Sequence, residues 1–395
     1  MESFLSSFST FFTPTSSTGT GPCSGLSPWN PRELWNRYIL CNSIPPCDQI
    51  VDNDKVRIGI DFDLGGSIGY MATPHDPWLN YINSFDQGRE IQMSFYAAPI
   101  PYNPPTDEYP DGACDDLFRG PWSWNPIGAG DVDGGTSEVL EFYPSKTLGN
   151  NSLRVVTRPL QWACHNVPCE CTFDKTIETV GDFPAVKVIN TLRNARTDVY
   201  DETALFDQEL PAVYTNGILY RLVTYNGSKP FTNGEPVNYY EAGFDNDRPF
   251  PWIPGRFPAT EHWAAFVNEE NWGLGVINLQ ESVFLGGFSG GAKGTGGPKD
   301  GQTGYIAPVS RHALPRNVVF TYEYYLILGF VEEIRAFATQ LHNTRRQSSE
   351  KDSNTAATIS EAFSRPVSPW LRPKFLTILN DRRRRTRGLG RKMGE

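Results

Sequence analysis

Six segments of β-branched and aromatic residues, each broken off by Gly, Asn or Pro, limit what this chain can fold into more than any other feature. They are VRIGIDFDLGGSIGYM, SLRVVTRPLQWA, KTIETVGDFPAVKVINTLRNA, AVYTNGILYRLVTYNG, HWAAFVNEENWGLGVINL and NVVFTYEYYLILGF. Residues of this type fit a pleated, half-buried surface, and the breakers between them supply turns. In the first segment Val56, Ile58 and Ile60 alternate before Gly65-Gly66, the pattern of a hairpin. A helical period appears over Phe330 to Leu341, with apolar residues at Phe330, Val331, Ile334, Phe337 and Ala338. Strands at this density, without alternating helices or a fixed repeat, predict an all-β fold: a large two-sheet antiparallel sandwich with a short C-terminal helix.

The ends differ from this body. Residues 1–50 are rich in Ser, Thr, Pro and Gly and read as a disordered or loosely attached leader, residues 51–342 as the sandwich domain, and residues 343–395 as a polar linker and basic disordered tail. The opening MESFLSSFSTFF is apolar, but Glu2 stands where a secretion signal needs a basic residue. No run of about 18 apolar residues occurs, so no membrane span is expected. The net charge of −10 resolves into +5 over residues 381–395 and −15 over the remainder. An acidic body repels nucleic acid, which leaves only the tail for phosphate.

Of the seven cysteines, Cys164, Cys169 and Cys171 cluster around His165. Their spacing lacks the paired C-x2-C knuckles of zinc sites, and disulfides fit better. Sequons at Asn150-Asn151-Ser152 and Asn226-Gly227-Ser228 agree with an extracellular or secretory setting.

The densest chemistry lies in INSFDQGREIQMSFY, residues 82–96. Asp86, Arg89, Glu90 and Gln92 alternate there with Phe85, Phe95 and Tyr96, the mixture that holds a sugar by its hydroxyls and its apolar ring face. A strand–turn–strand with solvated charges explains the segment equally well. Trp122, Trp124 and Asp131, in WSWNPIGAGDVDGG, have a binding-loop composition. There Asp131-x-Asp133-Gly resembles a fragment of a calcium loop without the further ligands of an EF-hand, so the expectation is no cofactor, with calcium as the alternative.

Glu209 in FDQELPAVYTN and Glu261 in FPATEHWAAF, with His262 and Trp263 beside the latter, are candidates for paired-carboxylate acid–base work. A lyase or epimerase would instead use His262, His165 or Tyr96 as base and Arg89 as the cation. Ordinary surface ion pairs account for either glutamate just as simply. GIDFDLGGSIG matches neither the dinucleotide nor the phosphate-loop fingerprint, and no G-x-S-x-G or H-E-x-x-H occurs. The glycine-rich run 286–304 reads as a flexible loop or rim.

The order of elements, from DLGGSIGYM and NSFDQGREIQ through KVINTLRNARTDV and QELPAVY to TEHWAAFVNEENWGLGV and YYLILG, resembles the galactose-mutarotase-like β-supersandwich domains of polysaccharide-processing proteins. The resemblance covers roughly Val56 to Leu341. It implies a concave carbohydrate-facing surface and is silent on which residues react, since such domains serve hydrolases, lyases, epimerases and binding modules. The expectation is a carbohydrate-active protein acting on a polysaccharide or oligosaccharide, a glycoside hydrolase before the alternatives.

Overall fold

The computed structural model describes residues 45, 49–104, 114, 121–148, 151–240 and 254–364. Most of the leader and all of the basic tail lie outside the described residues. In chain order the described strands are β1 (Ile50–Asp52), β2 (Arg57–Asp61), β3 (Ser67–Ala72), β4 (Ile91–Ser94), β5 (Pro126–Ile127), β6 (Glu138–Tyr143), β7 (Ser152–Arg158), β8 (Leu160–Gln161), β9 (Cys171–Thr179) and β10 (Ala185–Asn194). They continue with β11 (Phe206–Asn216), β12 (Arg221–Thr224), β13 (Asn238–Tyr240), β14 (Pro254–Pro258), β15 (Trp263–Val267), β16 (Trp272–Ile277), β17 (Val283–Ser289), β18 (Thr303–His312) and β19 (Val319–Phe330). A short helix α1 (Ser145–Leu148) and a long one, α2 (Val331–Ser364), complete the set.

The strands form two antiparallel sheets. One runs β1-β2-β3-β4-β11-β18-β17-β14, with β5 on β4 and β8 on β5; the other runs β13-β12-β15-β16-β19-β10-β9-β7-β6. Their inner faces share one apolar core, where Phe95 meets Phe173 of β9 at 5.5 Å and Phe320 of β19 at 5.9 Å. The predicted hairpin is β2–β3: Val56, Ile58 and Ile60 are fully buried, and Gly65 and Gly66 take φ of 58° and 74°, which only glycine adopts without strain.

Chain contacts divide the protein into Met1–Thr339 and Gln340–Glu395. The first unit holds both sheets and the start of α2, where Val331, Ile334, Phe337 and Ala338 are buried as their spacing predicts. Phe330 instead ends β19 and is exposed. In the second unit the described residues continue α2 to Ser364, so residues 343–363, read above as a linker, are helical. Their Ala, Glu, Gln and Arg content supports a helix that a polar composition alone does not reveal.

One irregularity positions the site. Strand β11 lies in the middle of its sheet yet contains Pro211, which has no N–H for the ladder. The strand absorbs it with a bulge: Glu209 pairs with Val309 and Ser94, and pairing resumes at Val213 with Ile306 and at Ala212 with Gln92. Asn278 Nδ2 donates to the Leu210 carbonyl at 2.9 Å, satisfying an acceptor within the bulge. Bulges re-aim side chains, and here the re-aimed side chain is Glu209.

Candidate active site around Glu209

Glu209 is half-buried and pairs across the ladder with Ser94 of β4. The hydroxyls of Tyr305, Ser94 and Tyr96 donate to its carboxylate. Burial pushes its pKa above the ordinary carboxylate value, and those three hydrogen bonds partly oppose the rise. The phenols of Tyr96 and Tyr305 are pushed up in turn, first by burial and then by the Glu209 charge. Tyr214, its ring tilted against that of Tyr305 at 4.9 Å, lies within the electrostatic reach of Glu209, Asp86, Arg89 and Glu90. One carboxyl and three phenols therefore gather on adjacent strands, beside the turn that carries Asp86 and Arg89.

That turn is tightly built. Arg89 forms an ion pair with Asp86 at 3.4 Å, lies over the Phe85 ring at 4.6 Å and donates to the Gly301 carbonyl at 2.9 Å. Gln92 is buried, and its amide is spent on the main chain: Nε2 donates to the carbonyls of Gln87 and Arg89, and Oε1 accepts from Ala129 N–H. It shapes the turn rather than presenting a group to a ligand. Gly88 packs so close to Trp162 that a Cβ there would fall 2.6 Å from the ring. Glu90, fully buried, has no hydrogen-bond partner on either carboxylate oxygen.

The glycine-rich run begins in β17 and ends in β18, and its middle, residues 290–302, is a strap tied to this turn. The Asp300 carboxylate accepts from the N–H groups of Thr295, Gly296 and Gly297. Asn83 Nδ2 donates to the Asp300 and Gln302 carbonyls, and Lys299 donates to the Ser84 carbonyl. One carboxylate fixes several glycine N–H groups, which composition does not forecast.

The other proposed residues are held elsewhere. Glu261 is fully buried; Arg335 of α2 grips it with two 2.8 Å bonds, Trp263 Nε1 donates at 3.0 Å and the Phe231 N–H at 2.9 Å. A carboxylate so occupied holds α2 to the loops. His262 Nδ1 sits 2.9 Å from the Glu281 carbonyl, with its ring stacked on Phe231. Trp263 and Trp124 are wholly buried, the latter under the Arg196 guanidinium at 4.7 Å. Trp122 donates to Asn125. Asp131, also buried, accepts from the N–H groups of Asp133, Gly135 and Asn166, so its oxygens close a loop and leave no calcium-like constellation there. His165 pairs with Asp133.

Two disulfides, Cys114–Cys164 and Cys169–Cys171, take four of the cysteines out of any zinc reading. Cys23, Cys41, Cys47 and Asn150 lie outside the described residues. Asn226 uses its Nδ2 on the Tyr240 hydroxyl at 3.2 Å.

No family model matches the chain, and no curated protein is similar to it. The solved structures that it resembles include galactose mutarotase-like proteins. A galactose mutarotase-like protein from Lactobacillus casei aligns over 71% of this chain and 99% of its own, at 10% identity and a TM-score of 0.40. A galactose mutarotase related enzyme from Lactobacillus acidophilus aligns over 71% and 96%, at 10% identity and 0.39. A 4-alpha-glucanotransferase from Thermococcus litoralis aligns over 71% of this chain and 37% of its own, at 11% identity and 0.34. At these values the likeness assigns no role to any residue, and the reading of the site rests on its own geometry.

Sequence reasoning picked out Glu209, the 86–92 turn and Tyr96. It missed Ser94, Tyr214 and Tyr305. Ser94 and Tyr96 follow Gln92 at period two, so the alternation contained that signal. Tyr305 comes from a strand far away in sequence, and nothing local links it to Glu209.

Proposed function

We propose that this protein is a carbohydrate-active enzyme in which Glu209 moves a proton on the sugar. The supporting observation is the contrast in how two glutamates are held: the buried Glu261 is bound by a guanidinium, whereas the half-buried Glu209 is bound by hydroxyls that exchange protons. A single working carboxyl flanked by phenols suits proton exchange at an aldose anomeric centre, the epimerase class. The carboxylate takes the anomeric hydroxyl proton as the ring C–O bond opens and the carbonyl forms. A phenol supplies the ring oxygen's proton and regains one from Glu209 through their hydrogen bond. After rotation about the first C–C bond, closure in the reverse sense gives the other anomer.

Glu209 must be ionised to act as this base. Because its pKa is raised, activity should fall as pH drops through a value above the ordinary carboxylate range. Hydrolysis is the second reading, favoured by Asp86, a further carboxylate that shares the neighbourhood of Tyr214 with Glu209. The two disulfides support an oxidising, secretory setting. The test is a panel of free aldoses and neutral oligosaccharides, followed by NMR for anomeric exchange and by assay for new reducing ends. Exchange abolished in Glu209→Gln supports the epimerase reading, and new reducing ends lost in the same variant support hydrolysis. Full activity of Glu209→Gln rejects both.

A further inference from the structure

Glu90 has no part in the chemistry above, yet it is the most costly side chain near the site. It is completely buried and neither carboxylate oxygen has a partner. Its backbone takes φ of 58°, a left-handed conformation that side chains rarely adopt. Strain of this kind clusters at active sites and switch regions, and an unsatisfied buried polar group calls for an explanation. Its main chain ties the turn to the site strand: Glu90 N–H donates to the Asn83 carbonyl, and Tyr214 N–H donates to the Glu90 carbonyl.

The charged and titratable groups facing it come from every neighbouring element. Asp86 and Arg89 belong to its own turn, Asp61 ends β2, and Lys299 belongs to the strap. Tyr214 stands on β11, and Lys175 reaches in from β9 of the other sheet. Lys175 is itself buried and donates to the Gly66 carbonyl at 3.0 Å. No hydrogen bond or ion pair joins the Glu90 carboxyl to any of these side chains, so an ionised Glu90 would be an unpaired buried anion among two carboxylates and several cations.

We infer that Glu90 is a positioning residue for the Glu209 site: uncharged, it leaves the Arg89 guanidinium on Asp86 and the Gly301 carbonyl beside Tyr214, and on losing its proton it draws that guanidinium inward. The inference rests on the reading of Glu209 as the working base. It supplies that site with an alkaline limit, since Glu209 works only ionised and Arg89 stays in place only while Glu90 is protonated. The environments of the two carboxyls differ in the sense this requires: Glu90 is completely buried with no donor on either oxygen, whereas Glu209 is half-buried and accepts from three hydroxyls.

The experiment is an NMR titration of the full-length protein carrying 13C-labelled glutamate carboxyls, with the Arg89 Nε–H signal followed in parallel and anomeric exchange measured across the same pH range. Wild type should show Glu209 ionising first, then Glu90, with the Arg89 signal moving together with Glu90. Glu90→Gln should hold the Arg89 signal still and abolish the alkaline loss of activity, giving at least tenfold more activity than wild type above that limb. Lys175→Met, which removes the other buried titrating group, should keep the limb. Glu90 ionising together with Glu209, an Arg89 signal indifferent to Glu90, or a limb that survives in Glu90→Gln and vanishes in Lys175→Met would each overturn the inference. The wild-type titration decides the matter even if Glu90→Gln fails to fold. Failure of the Glu209 reading is separate: it appears as full activity in Glu209→Gln, whatever the Arg89 signal does.

Discussion

Glu209 and Glu261 sit in strand-like surroundings of similar composition, each next to aromatic residues, and the fold uses them in opposite ways. Around Glu261 the donors are a guanidinium, an indole and a main-chain N–H, all at 2.8–3.0 Å and all fixed in charge at neutral pH. Around Glu209 they are three hydroxyls, from β4, the residues just after it and β18, each able to give or take a proton. A carboxylate withdrawn from solvent, wholly at Glu261 and partly at Glu209, is thus structural or chemical according to its donors.

The sharpest way to break the comparison is to remove Glu261. Glu261→Ala leaves the Arg335 guanidinium without its partner, and breaking a buried pair in this way costs about 3–5 kcal/mol. Denaturant unfolding should show that loss, while the Glu209 carboxyl keeps its titration. A loss under about 1 kcal/mol would mean that the pair does not hold the helix.

Tyr305→Phe should act on the other member. With one hydrogen bond gone, the Glu209 pKa rises further, the acid limb of activity moves up, and turnover at neutral pH falls about 100-fold, the low end of general acid–base contributions. An unmoved limb would separate Tyr305 from the chemistry.

Lys175 provides a test of the interior between the sheets. Burial lowers its pKa to about 7. Between that value and the ordinary lysine range the unfolded chain binds the extra proton, so stability should rise with pH across this window. Lys175→Met should flatten the slope in thermal melts taken from pH 7 to 10, and an unchanged slope would assign it to another group.

The smallest effect is expected on the surface. The ion pair between Arg256 and Asp207 is 2.7 Å long but well solvated, and Arg256→Ala should cost under about 1 kcal/mol. A larger loss on unfolding would mean that Arg256 packs as well as pairs.

The fold was largely legible because its evidence is local. Val56, Ile58 and Ile60 alternate and are all buried, and Gly65-Gly66 turns where the sequence says it should. Residues 343–363 were not legible, since a polar mixture with fair helix propensity satisfies both a linker and a helix. At the site, the 86–92 turn and Glu209 stood out by residue type. Their separation from Glu261, Asp131 and Trp124 did not, because a carboxylate bound by Arg335 or by three main-chain N–H groups looks the same in sequence as a free one. Tyr305 joins Glu209 only through the β11–β18 ladder, whose register the bulge at Pro211 sets.

The most direct test of the account is the rate of anomeric exchange, measured by NMR on a panel of aldoses, in wild type, Glu209→Gln and Glu261→Gln side by side under conditions where all three are folded. The account predicts a loss of about 10²–10⁴-fold in Glu209→Gln, the range of general acid–base catalysis, and near-wild-type exchange in Glu261→Gln. Exchange retained by Glu209→Gln, or lost equally in both folded variants, would contradict it.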